Sequence, residues 1–130
     1  MTMRTIRWVA LSGFLIAGGG LQAHHSLAGV YALETEVTLT GALKKLNFTN
    51  PHSSIELTVT NEDGSTTDWV LVTASTRILT RQGVNKSSIK PGDILKITAL
   101  PARNGNPMGF IRSLELGDRE VKLFNEDGIN

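Results

Sequence analysis

The sequence predicts a mainly β domain, an OB-like five-stranded barrel or an open meander, with one short helix between strands three and four. Three observations lead there. Apolar and polar residues alternate with period two over several short stretches, the pattern of half-buried strands. Clusters of Gly, Pro, Asn, Asp and Ser separate those stretches at short intervals. The period changes once, at residues 75–83, where a helical pattern interrupts the strands. Three strands, a helix and two more strands is the order of an OB-type barrel.

Met1 to Ala23 carries the parts of a secretory leader: Arg4 and Arg7, the apolar run Trp8 to Ala17, the breaker Gly18-Gly19-Gly20, and a small residue, Ala23, at the cleavage position. The run is short for a bilayer. Cleavage is expected to leave no membrane anchor and a mature chain in the periplasm or outside the cell. Residues 24–33 read as an extended N-terminal arm, 34–124 as the β-domain and 125–130 as a flexible tail.

Within the domain, Glu34 to Phe48 alternates, with Val37, Leu39 and Leu43 on one side and Gly41 as the expected bulge or bend. Thr49-Asn50-Pro51-His52 is a turn in which proline fixes φ and Asn50 caps its own backbone. Ser54 to Thr60 puts Ile55, Leu57 and Val59 on one face. Asn61 to Ser65 is a hairpin loop, and Thr66 to Val72 returns with Trp69 and Leu71 inward. Ser75 caps a helix through Gln82, stopped by Gly83. Lys90-Pro91-Gly92-Asp93 turns into the strand Ile94 to Leu100. After the polar loop Pro101 to Pro107, Met108 to Leu116 forms the last full strand and Glu120 to Phe124 a short edge.

Composition narrows the function classes. The chain has 130 residues and no cysteine, which excludes a disulfide framework, thiolate metal sites and thiol catalysis. Removing Arg4 and Arg7 with the leader takes the formal charge from +1 to −1. That balance makes no electrostatic case for nucleic acid or an acidic membrane.

These landmarks resemble a family of small exported bacterial proteins of unknown function. The resemblance rests on His24-His25-Ser26 after the leader, Thr40-Gly41, Thr49-Asn50-Pro51-His52, Trp69, Arg81-Gln82-Gly83 and Lys90-Pro91-Gly92-Asp93, in the same order along nearly all of the mature chain. Family members often carry aromatic residues where this chain has Ser54 and Val84. The resemblance implies export and the fold, and no activity.

The candidate site follows from cleavage after Ala23, which makes His24 the first residue. Its α-amine and Nδ1 can chelate Cu(II), and one further imidazole, from His52 or His25, completes three nitrogens in a plane, the arrangement called a histidine brace. All three histidines, His24, His25 and His52, fall in these two motifs. Cleavage one residue earlier would instead place His25 third, behind an amine and two amides. No Gly-x-Ser-x-Gly, His-Glu-x-x-His or phosphate-loop pattern is present, so an enzyme is not expected. The expected function is a non-enzymatic binding module, with possible cofactor Cu(II) and an unknown envelope protein or small ligand as partner. The rival is an interaction domain without metal, using the barrel face and the loop Pro101 to Pro107. A copper-dependent oxidase is a third alternative.

Overall fold

The computed structural model describes residues 27–124; the segment expected to be a leader, His24, His25 and residues 125–130 lie outside them. The strands are β1 (Val37–Asn47), β2 (Ser54–Thr60), β3 (Thr66–Val72), β4 (Ile94–Pro101), β5 (Met108–Leu116) and β6 (Arg119–Lys122), with helix α1 (Thr76–Arg81) between β3 and β4. They run β3-β2-β1-β4-β5-β6 across one sheet, and β3 also pairs with β5. That last pairing is parallel, Val70 to Met108, Leu71 to Gly109 and Val72 to Phe110, and it closes a five-stranded barrel. The barrel replaces the open meander. Among the described residues no helix is long and apolar enough to cross a membrane.

β1 reaches closure by serving two partners in turn. Val37 to Ala42 pair with β4, and Ala42 to Asn47 pair with β2. Gly41 stands at the handover, where any Cβ would collide with the Thr58 carbonyl oxygen. Of the bulge or bend expected at Gly41, the bulge lies three residues later. Leu43 pairs with Leu57 and Lys45 with Glu56, so Lys44 is the extra residue. Ahead of that bulge the Lys90–Asp93 turn docks on β1: Gly92 N–H donates to the Leu43 carbonyl at 2.7 Å, and Leu43 N–H donates to that of Asp93 at 2.8 Å.

The alternation delivers the core. Leu43, Ile55, Leu57, Leu71, Ile97, Ile111 and Leu114 are all at most 2% exposed. Each buried side chain of this kind contributes about 1.5–3 kcal/mol from leaving water. Trp69 packs against the same cluster while only half-buried. Ser75 caps α1, its Oγ accepting from Ile78 N–H at 3.4 Å, and Gln82 ends it ahead of Gly83 at φ +80°. Leu79 from the helix, with Val84 and Ile89 after it, joins the barrel core.

A second, smaller cluster holds the N-terminal segment. Tyr31, Leu100, Ala102 and Phe110 form it, with Leu27 and Val72 packed against it. Residues 27–30 are helical where the sequence predicts an extended arm, and Tyr31 N–H donates to the Leu27 carbonyl at 2.9 Å. The i, i+4 spacing puts Leu27 and Tyr31 on one face, which a helical turn buries together and an extended chain would not.

Candidate functional site

His52 is the one predicted ligand within the described residues. Its position is set by the connection from β1 to β2, which is tied to itself and to the segment after β3. Ser53, fully buried, accepts from Thr49 N–H at 3.2 Å and donates to the Thr49 carbonyl at 3.0 Å. Thr49 Oγ1 donates to the His52 carbonyl at 3.0 Å. Ser53 N–H donates to the Ala74 carbonyl and Thr73 N–H to the Ser53 carbonyl, both at 2.9 Å, extending the β2–β3 ladder by one step.

Asn50 departs from the role its turn position predicts. It does not cap its own backbone. Its Oδ1 accepts from Thr76 N–H at 3.1 Å and from Thr76 Oγ1 at 2.9 Å, so it satisfies the start of α1 from 26 residues away. The first turn of a helix has unpaired N–H donors, and an asparagine amide oxygen is a good acceptor for them. A Ser-x-x signal at Ser75 is visible in sequence; a second cap supplied from a distant turn is not.

The His52 ring lies against this scaffold. Nδ1 is 3.1 Å from the Thr73 carbonyl oxygen. A carbonyl only accepts, so Nδ1 carries a hydrogen, and in the neutral ring that leaves the lone pair on Nε2. The residue is exposed. The arrangement therefore offers solvent an imidazole nitrogen on a ring whose tautomer and aim are held by backbone. Thr73 is itself fully buried, and its hydroxyl has no hydrogen-bond partner among the described residues.

No group of three or more His, Asp or Glu residues close enough to hold a metal ion occurs among the described residues. The structure brings His52 to Thr73; His24 and His25, the other two candidates, lie outside the described residues. The loop after β4, the rival candidate surface, is partly occupied by the chain itself. Arg103 donates from Nε to the Ala28 carbonyl at 2.8 Å and from both Nη atoms to the Glu34 carboxylate at 3.1 and 3.2 Å. Those bonds, with the Glu34 backbone hydrogen bond as the larger cause, hold the Glu34 carboxyl below its ordinary range. Arg103 N–H also donates to Val30, and Ala32 N–H to Pro101, each at 2.9 Å. The loop thus anchors the N-terminal segment.

A family model described as a family of unknown function (DUF6152) matches residues 14–112. Among solved structures, the chain is similar to the mitochondrial single-stranded DNA-binding protein Rim1 of S. cerevisiae. The TM-score is 0.50 at 9% identity, covering 64% of this chain and 93% of that one. The likeness is one of fold. No curated protein matches the chain.

Proposed function

Since the chain belongs to the family of unknown function DUF6152, it inherits no activity to explain, and we propose that it is an exported, non-enzymatic binding module taking Cu(II) at a histidine N-terminus. Cleavage after Ala23 exposes the α-amine of His24, which with its own Nδ1 closes a chelate ring. His52 Nε2 supplies the third nitrogen, with His25 as the alternative donor. Three nitrogens in a tetragonal plane suit Cu(II).

The observation that carries this reading is the hydrogen bond from His52 Nδ1 to the Thr73 carbonyl. Metal-ligating histidines characteristically donate their other ring N–H to a carbonyl or carboxylate, which fixes tautomer and orientation. Chain length supports the reading as well. Leu27 packs on the same four-residue cluster as Val72, the neighbour of Thr73. His24 is three residues before Leu27, a span of at most about 10 Å when extended.

The test is a Cu(II) EPR titration of protein exported and processed by its own leader, with intact mass confirming His24 as residue one. A single stoichiometric tetragonal signal with three nitrogens is expected. It should disappear when one residue is added before His24 and lose one nitrogen in His52→Ala. A weak, heterogeneous signal that neither change affects would overturn the reading.

The fold likeness to a single-stranded DNA-binding protein prompts a second reading, strand binding on the β2–β3 face. OB-type folds hold single strands largely by stacking bases on aromatic rings over a positive groove. The outward positions here are Glu56, Thr58, Asp68 and Val70, with no ring among them. We infer that a labelled oligothymidylate fails to bind the mature protein at low salt. Saturable binding would favour this second reading over the first. The metal-free rival, an envelope interaction domain, retains the part of the Pro101–Pro107 loop that does not hold the N-terminal segment.

A further inference from the structure

A groove of about 310 Å3, with no histidine in its lining, lies on the outside of the barrel. Glu36, Arg112, Ser113, Glu120, Lys122 and Phe124 line it. Its centre is a second bulge. Thr98 pairs with Ser113 and Ala99 with Ile111, so Arg112 is the extra residue of β5. Leu123 N–H and Phe124 N–H both donate to the Arg112 carbonyl, at 2.8 and 3.2 Å, and hold the bulge in place. Bulges of this kind re-aim a side chain, and they recur beside binding sites.

The aimed side chain is an arginine three-quarters buried, at 24% exposure. Its Nε faces Glu36 Oε1 at 3.1 Å, and its guanidinium lies over the Phe124 ring, 5.9 Å from the centroid. Phe124 is braced edge-on by Phe110, 5.4 Å away. Among the described residues only Nε is engaged, so the two Nη atoms, a planar pair of donors, remain for the groove. Ser113, only 8% exposed, lines the same groove, and its hydroxyl makes no hydrogen bond among the described residues. Lys122 has no ion-pair partner there either. An oriented guanidinium, the hydroxyl of the mostly buried Ser113 and an uncommitted ammonium around one concavity are the donor set of an anion site.

We propose that this groove binds a small organic monocarboxylate, the carboxylate taken by the Arg112 Nη pair with Ser113 and Lys122, and an apolar or aromatic group set against Phe124. The charge balance selects the class. Two carboxylates, Glu36 and Glu120, face two cations, Arg112 and Lys122, so a dianionic phosphate meets about twice the carboxylate repulsion of a monocarboxylate and has no apolar body to set against Phe124. The site shares no residue with the copper reading and stands without it.

The test uses copper-free mature protein, 15N-labelled and titrated with phenylacetate. Saturable shifts centred on the Ser113 and Phe124 amides are expected, with acetate binding more weakly and inorganic phosphate failing to compete. Arg112→Gln should weaken phenylacetate binding about tenfold or more, the loss of a charge-assisted pair. Should that variant not fold, Lys122→Gln reports the same effect at reduced size. Absence of saturable shifts, unchanged affinity in a folded Arg112→Gln variant, or phosphate binding as tightly as phenylacetate would each overturn the proposal. So would binding that appears only after residues 125–130 are removed, which would assign the groove to the chain's own tail.

Discussion

The carbonyl of Thr73 receives the His52 ring while its hydroxyl, fully buried, finds no partner among the described residues. An orphaned buried hydroxyl costs about 1–3 kcal/mol, and an apolar group of the same shape removes that cost. Thr73→Val is therefore expected to raise stability by about 1 kcal/mol in urea unfolding, with the His52 hydrogen bond intact because it uses backbone. A loss of stability would mean that the hydroxyl has a partner. Asp68 shows the opposite economy. Lys44 donates to one of its oxygens and Thr58 to the other at 2.7 Å, and these bonds, Lys44 first, hold its carboxyl below the ordinary 3.8. A carboxyl lowered on folding stabilises the protein above its unfolded value, and the contribution disappears as pH falls through the folded one. Lys44 is raised by the same bond, so its contribution is present below about 10.5 and is lost as pH rises beyond. Asp68→Asn should flatten both limbs in urea midpoints measured from pH 2.5 to 11, and 1 M salt should mimic the change, since the pair is exposed.

At the scale of elements, strand and helix bounds are readable from alternation and punctuation, because those signals are local. β2, β3 and β5 begin and end where the period-two pattern and its turn residues place them. α1 ends at Arg81 with Gln82 as its cap, just ahead of the predicted stop Gly83. What local signals miss is where one element is completed by another. The Asn50 cap on α1 is such a case. Asn50→Ala should leave the first turn of α1 with an unsatisfied donor, cost about 1 kcal/mol and speed amide exchange at Thr76 more than at Leu79. Equal exchange in both proteins would mean that Ser75 suffices. The bulges at Lys44 and Arg112 are hidden for the same reason. An extra residue exists only relative to a partner strand, so register decides it. Glycine marks bulges in sequence, which points to Gly41 as the irregular position, yet its role is to let the Thr58 backbone pass closely.

For the molecule as a whole, stability rests on the closed barrel core and the smaller cluster around Phe110, without disulfide or metal support from cysteine. Leu114, at 0% exposure, sits opposite Ile97 on β4 and Val121 on β6. Leu114→Ala should cost about 2–5 kcal/mol in chemical denaturation, because a rigid ring of strands cannot collapse around the void. A cost near zero would show that the barrel end relaxes. The candidate site was half legible at this scale. His52 is the only histidine in the sequence beyond His24 and His25, but its anchoring to Thr73 joins residues 21 apart and depends on the β2–β3 hairpin. Arg112 carried no signal, since an arginine in a strand reads as solvated until a bulge, Glu36 and Phe124 surround it. Period and punctuation, which act within a few residues, settle which segments are strands, which is the helix, and their order. Closure through β3 and β5, the Asn50 cap and the groove at Arg112 depend on residues brought together across the chain, and only packing in three dimensions can decide those.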